Sequence, residues 1–378
     1  KPTMEQFYTY REIRQQPDVW LKEYASILSR KDEIVKFIRR YLEDGYEIYF
    51  TGAGTSAYIG DALAFAFAGT VFSDCRSVPT TDIVTDYRTF FPEGKKVLLI
   101  SFARSGNSPE SIGAVKIANK VATGIAHIFI TCNAEGELAR MASGSPENTL
   151  LVLLPPETND VSLAMTSSFS TMVMSCLMLA EMDSADSVGE KVAAVSRLTA
   201  AAMDKYEGVL REIAKRPFKR AVFLGSGFLK GIAEESHLKL QELTDGDVMC
   251  TFDSFLGFRH GPKAVVREGP LLVYLLSDDP YTRQYEIDLI RQIDGNNRAV
   301  AQVLVSADDV QIDGVEFDAR IVLNEEKAEL GNYGYVPYVF VAQMLGCFKS
   351  VDLGLSPDAH SKSGNIHRVV KGVTVDDI

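Results

Sequence analysis

Along residues 1–44 the apolar positions recur at helical spacing. Trp20, Leu21, Ile27, Leu28, Ile34, Ile38 and Leu42 form a stripe among charged neighbours, which predicts a helical segment. From residue 45 the pattern changes to short apolar runs that open into glycine- or hydroxyl-rich turns and then into helical spacing. EIYFTGAGTSAYIGDALAFAF reads as strand, glycine turn and helix, and RSVPTTDIV as a short extended segment. Val97-Leu98-Leu99-Ile100 reads as a buried strand that opens through Arg104-Ser105-Gly106-Asn107-Ser108-Pro109 into a helix starting at Glu110. HIFITCNAEGELARMA supplies another strand, turn and helix, and TLLVLLPPE a further strand. Strands alternating with helices predict an α/β fold, a parallel sheet with helices on both faces.

The pattern then begins again. RAVFLGSGFLKGIAEESHLKLQEL repeats the strand, the G-x-G turn and the helix, and EGPLLVYLLSDDPYTRQYEIDLIRQI and AVAQVLVSADD repeat the later units. Two similar α/β domains are expected, at 45–200 and 215–365, with a helical join at about 171–215. The chain after Gly346 is polar and rich in Ser, Gly and Pro, and 366–378 is expected as a separate tail.

A length of 378 residues suits two domains better than one core. The net charge of −12 argues against a general grip on nucleic acid, but leaves room for one local anion site. The five cysteines, Cys75, Cys132, Cys176, Cys250 and Cys347, are scattered and odd in number, as expected of reduced thiols in a cytoplasmic protein. The opening KPTMEQFYTYREIRQQPDVW has no apolar core of signal-peptide type. ALAFAFAGTVF and TMVMSCLMLAEM fall short of the ~20 residues that span a bilayer and are expected to be buried helices, so no membrane partner is expected.

GAGTSA at 52–57 fits a dinucleotide fingerprint, with Asp74 20 residues after Gly54. Asp74 precedes the next extended segment instead of ending it, which weakens that reading. A plain tight turn is the simplest alternative. A third reading joins three hydroxyl clusters at the ends of successive strands: Thr55-Ser56, Ser105 to Ser108, and MTSSFST at 165–171. Helix N-termini present unpaired N–H groups and a positive dipole end, so these loops together predict a phosphate cradle.

In EESHLKLQE, at ~100° per residue, Glu235, Lys239 and Glu242 fall within a ~60° arc flanked by Leu238 and Leu243. An exposed Glu–Lys pair is common. The leucines favour a partly buried stripe, where a carboxylate can act as a base. FRHGP sets His260 before a Gly-Pro turn. His127, His237 and His367 read as structural, and His360 in the unusual tail stays open.

Together TGAGTSA, SFARSGNSPES, MTSS, EESHLKLQE, FRHGP and RVVKGVTV resemble the sugar isomerase (SIS) domain family in its tandem form, over residues ~45–376. The resemblance is greatest to the branch named tagatose-6-phosphate ketose/aldose isomerase, also described as galactosamine-6-phosphate deaminase. The isomerase half of glucosamine-6-phosphate synthase is more distantly similar. It implies two three-layer αβα domains with mainly parallel, flavodoxin-like sheets. It further implies phosphate binding by Thr55, Ser56, Ser105, Ser108, Thr166 and Ser167, a proton-shuttling Glu242 beside Lys239, a ring-opening His260 from the partner in a homodimer, and an active-site Lys371. Where the synthase loop reads S-Q-S-G-E-T, this chain has Ala103-Arg104-Ser105-Gly106-Asn107-Ser108, so Arg104 and Asn107 join the expected phosphate contacts. No glutaminase domain or nucleophilic amino-terminal cysteine is seen. The implied reaction is therefore isomerisation of a hexosamine 6-phosphate with release of ammonia, without metal or cofactor. Plain isomerisation, a sugar-phosphate sensor and a nucleotide-dependent oxidoreductase are the competing readings.

Overall fold

The computed structural model describes residues 3–267, 269–295 and 299–378. Three helices come first: α1 (Tyr8–Arg14), α2 (Gln16–Ser29) and α3 (Lys31–Glu43). Next follow β1 (Glu47–Thr51), α4 (Thr55–Leu63), β2 (Cys75–Ser77), α5 (Thr80–Phe90), β3 (Lys96–Ala103), α6 (Pro109–Val121), β4 (Gly124–Thr131), α7 (Glu137–Gly144) and β5 (Thr149–Leu153). Two helices, α8 (Ser167–Ala180) and α9 (Ala185–Ala214), lead to the second series. That series is β6 (Arg220–Leu224), α10 (Phe228–Leu243), β7 (Met249–Asp253), α11 (Phe255–Phe258), β8 (Leu271–Leu275), α12 (Pro280–Asp294), β9 (Ala301–Ser306), β10 (Ala319–Val322) and α13 (Val339–Asp352).

The chain forms two compact units. One comprises 18–160, 167–190 and 367–378 and contains the sheet β2-β1-β3-β4-β5. The other comprises 1–17, 161–166 and 191–366 and contains the sheet β10-β9-β8-β6-β7. Every strand pair in both is parallel. Read by chain position, each sheet has the order 2-1-3-4-5, the flavodoxin-like arrangement in which ligands bind beyond the carboxyl ends of the first and third strands. The strands are near-continuous apolar runs because helices cover both faces. In the first unit Tyr49, Val97 and Leu99 pack on Ile83 of α5 and on Ala114, Ile117 and Ala118 of α6. In the second, Val222, Leu272, Tyr274 and Leu304 pack on Phe255, Phe258, Leu289, Ile290 and Ile293.

Several expectations need correction. The stripe on α2 is Val19, Trp20, Glu23 and Ile27, whereas Leu21 and Leu28 are exposed. The first buried helix stops at Leu63, and Phe65 beyond it is 60% exposed. In RSVPTTDIV only the start is strand: the chain turns at Pro79 into α5. Helix α13 continues past Gly346 to Asp352. Gly346 does not end it but allows close packing, since a Cβ there would lie 3.0 Å from the Lys239 carbonyl and 2.7 Å from Leu243 of α10. The edge strands β7 and β10 were not foreseen. The five cysteines are free. No helix among the described residues is long and apolar enough to cross a membrane.

Candidate active site

In the first unit the loops after β1 and β3 leave adjacent strands at the carboxyl end of the sheet. Gly52 cannot carry a side chain, because a Cβ would fall 2.6 Å from the Ser56 backbone. Gly54 has φ 56° and ψ −129°, a conformation open to glycine, and delivers the chain directly into α4 with no side-chain cap. Thr55 and Ser56, nearly buried, form the first turn of that helix. Arg104 is buried immediately after β3, and Ser105 accepts the Asn107 N–H at 3.2 Å. Two of the expected phosphate contacts hold the loop together. Asn107 Oδ1 accepts the Glu137 N–H at the start of α7, at 2.9 Å. Ser108 caps α6 by accepting the Ser111 N–H at 3.3 Å and bonds the Ser111 hydroxyl at 2.7 Å. Asn133 Nδ2 pins the Ser105 carbonyl at 2.8 Å.

Asp160 already occupies the start of α8. It accepts the Ser167 hydroxyl, and the Ser168 N–H at 2.9 Å and hydroxyl at 2.5 Å. Arg368, from the carboxyl-terminal segment, donates to the Asp160 carbonyl and to Asn159 Oδ1. That segment also lays Val375 against Gly113 of α6, where any Cβ would collide with it. Lys371 lies exposed on the same segment.

In the second unit Glu235, Lys239 and Glu242 form one row on α10. Lys239 and Glu235 are fully buried, and the Glu242 side chain is 14% exposed. Lys239 Nζ lies 3.1 Å from Glu235 and bonds Glu242 directly. Burial works against the ammonium, but the two carboxylates outweigh it and hold the Lys239 pKa above its ordinary value. His237 points elsewhere: its ring packs on Phe252, and burial lowers its pKa. His260 is exposed after α11, with its N–H bonded to the Gly257 carbonyl, ahead of Gly261 at φ 112°. Thr166 is buried, and its carbonyl accepts Gln343 Nε2. His360, left open by the sequence, is fully buried.

The dinucleotide reading fails on geometry. Ile48 pairs with Cys75, so Asp74 sits at the amino end of the sheet, opposite the glycine turn. Asp160, Glu23 and Glu286 escaped the sequence reading. Glu23 falls in register with Val19, Trp20 and Ile27, and Glu286 with Leu289, Ile290 and Ile293. A charge on an apolar stripe was the signal available in both cases.

Residues 41–182 match the SIS domain. The D-galactosamine-6-phosphate deaminase AgaS of Escherichia coli O157:H7 is 38% identical, covering 97% of this chain and 95% of that protein. The chain belongs to the SIS domain family. A second SIS relative, the D-galactosamine-6-phosphate deaminase AgaS of Shewanella sp. strain ANA-3, is 37% identical over 98% of this chain and 92% of its own. Among solved SIS structures, tagatose-6-phosphate ketose/aldose isomerase from Escherichia coli superposes with a TM-score of 0.90 at 34% identity, over 100% of this chain and 98% of that one. The tandem SIS expectation for the fold therefore holds in both halves.

Proposed function

We propose that this SIS protein converts a hexosamine 6-phosphate into the ketose 6-phosphate with release of ammonia, of the galactosamine-6-phosphate to tagatose-6-phosphate type. The buried Glu235–Lys239–Glu242 row carries this reading, because a carboxylate held dry beside a cation suits a proton shuttle between neighbouring carbons. The names of the full-length relatives supply the substrate class.

The roles are assigned unit by unit. In the first, Thr55, Ser56, Arg104 and Ser105 hold the phosphate, while Asn107, Ser108 and Ser167 keep its loops in shape; Thr166, the residue before Ser167, adds the last hydroxyl from the second unit. In the second, Glu242 takes the C2 proton of the open-chain sugar and returns a proton to C1. This turns the C2 amine into a ketose imine, and water then replaces nitrogen at C2, leaving the ketose and ammonia. Lys239 balances the charge on Glu242. His260 moves a proton between the ring oxygen and the C1 hydroxyl to open the ring; its exposure suits service to a partner subunit in a cytoplasmic homodimer or larger assembly. Lys371 contributes from the carboxyl-terminal segment. With a C2 hydroxyl the same transfer is plain isomerisation, the activity named for the Escherichia coli structure.

Ammonia and ketose phosphate measured together across hexosamine 6-phosphates test the reading. Equal amounts are expected from one amino sugar. Glu242→Gln is expected to lower kcat by ~10²–10⁴-fold and to stop exchange of the C2 hydrogen with deuterated solvent. Absence of ammonia from every hexosamine 6-phosphate, or exchange at the wild-type rate in Glu242→Gln, would overturn it.

A further inference from the structure

Past α13 the chain of the second unit runs as a strap fastened at two points. Asp358 accepts the Tyr8 N–H at 3.0 Å, the Thr9 N–H at 2.8 Å and the Thr9 hydroxyl at 2.9 Å, closing the start of α1. Its carbonyl takes the Leu163 N–H at 3.1 Å. Five residues on, Ser363 donates its N–H and hydroxyl to Asp245, at 2.9 and 2.8 Å, just beyond the end of α10. His360 lies between these fastenings. It is 0% exposed, and neither Nδ1 nor Nε2 has a hydrogen-bond partner. Buried polar atoms are nearly always bonded, and an imidazole with both nitrogens dry and unbonded is costly to keep.

The charged groups that act on this ring are Glu242, Lys239 and Asp245, all on α10 or its end. Glu235 stands behind Lys239, and the strap's own Lys362 turns away to the Gly354 carbonyl. Burial lowers the pKa of His360 and outweighs the pull of Glu242, which favours the neutral ring. It then offers one N–H donor and one acceptor.

We propose that His360 is a positioning residue for Glu242, its ring donating an N–H to the Glu242 carboxylate when substrate is bound. The inference rests on the proton-shuttle reading of Glu242. A donor aimed at the ionised carboxylate favours the charged base, and an apolar replacement leaves Lys239 as its remaining support. Ser363 and Asp358 fix the strap on either side of the ring, Ser363 to the residue just beyond the end of α10.

The test compares His360→Phe and His360→Gln with the wild type in kcat–pH profiles on the best hexosamine 6-phosphate. His360→Phe is expected to lose about tenfold in kcat with KM within twofold, and to move the acid limb upward by half a pH unit or more. His360→Gln, which keeps an N–H donor, is expected to restore most of both. A His360→Phe profile that overlays the wild type, or a loss confined to KM, would overturn the proposal. Nitrogen-15 spectra of the wild-type ring, recorded with ketose 6-phosphate present, supply a readout independent of turnover. A neutral ring at pH 7 whose signals shift in Glu242→Gln supports the coupling even if no sugar is deaminated. Signals that ignore Glu242→Gln refute it whatever the activity.

Discussion

The two sheets end in the same backbone and in different chemistry. Gly54 and Gly227 adopt nearly the same strained turn, φ 56° ψ −129° and φ 58° ψ −123°. Gly52 and Gly225 are each pressed so close to the following helix that no side chain fits. After the first turn come Thr55 and Ser56; after the second come Phe228 and Leu229, both buried in the core. The loop after β3 offers Arg104 and Ser105. The loop after β8 offers Ser277, Asp278 and Asp279, and there Glu286 of α12 accepts the Ser277 N–H at 2.8 Å, with the Ser226 hydroxyl also favouring its charge. The same turn thus recurs in outline, and here it is stoppered by the chain's own carboxylate. The helices show the reverse. The buried face of α4 is Ala57, Ile59, Ala62 and Leu63, whereas α10 carries the Glu235–Lys239–Glu242 row. The repeated fold has hydroxyls after the glycine turn in one copy and charge on the helix that follows that turn in the other.

The charged row gives the largest way to break this contrast. Lys239→Met removes the ammonium that both carboxylates share inside the unit. Breaking a buried pair from one side costs ~3–5 kcal/mol. Thermal unfolding of the second unit should fall by roughly 6–20 °C, with turnover lost even well below that temperature. Met fits the space of the lysine stem, so a variant as stable as the wild type would mean that the row is not an electrostatic unit.

The loops give an intermediate effect. Ser105→Ala should raise KM for the sugar phosphate by ~10-fold or more, the worth of one hydrogen bond to a charged group, with kcat within about twofold. A contact shared by ground and transition states acts on KM. Ser277→Ala at the matching place should change neither constant by more than about twofold, because its loop already holds Glu286 through the backbone N–H. Equal effects at the two serines would dissolve the distinction between an open cradle and a stoppered one.

Much of this was legible because the strand, glycine turn and helix recur with their residue types intact. The row on α10 could be read from helical spacing and flanking leucines. The parts that were not legible share a cause: tertiary packing overruled a local signal. Ile83, Val84 and Thr85 favour a strand by type, yet Pro79 starts α5 and Ile83 buries against α6. Gly346 looks like a helix end, but its missing side chain is what lets α13 lie on Lys239 and Leu243. Asp160 caps α8 from across a loop, a pairing that no periodicity encodes. Ser108 and Asn107 have the composition of ligands and also serve as caps, a choice that sequence spacing does not separate.

The stopper itself sets the smallest and most specific effect. Burial pushes the Glu286 carboxyl from about 4.5 up to about 7, while the Ser277 N–H and Ser226 hydroxyl pull the other way. Between those values the folded chain keeps a proton that the unfolded chain has lost. Its stability therefore falls as pH rises through the window and levels off above it. At ~1.4 kcal/mol per pH unit the loss is at most ~3.5 kcal/mol. Glu286→Gln keeps an acceptor for the Ser277 N–H but cannot ionise. Its melting temperature relative to the wild type should climb by several degrees from pH 4.5 to 7 and then stay level. Glu23, pushed up to about 8 by burial in the first unit, contributes a slope of the same sign to both proteins and cancels in the difference. A difference that does not vary with pH would mean that Glu286 is ionised throughout, held by donors as a bound anion would be. The second turn would then be as strong an anion site as the first.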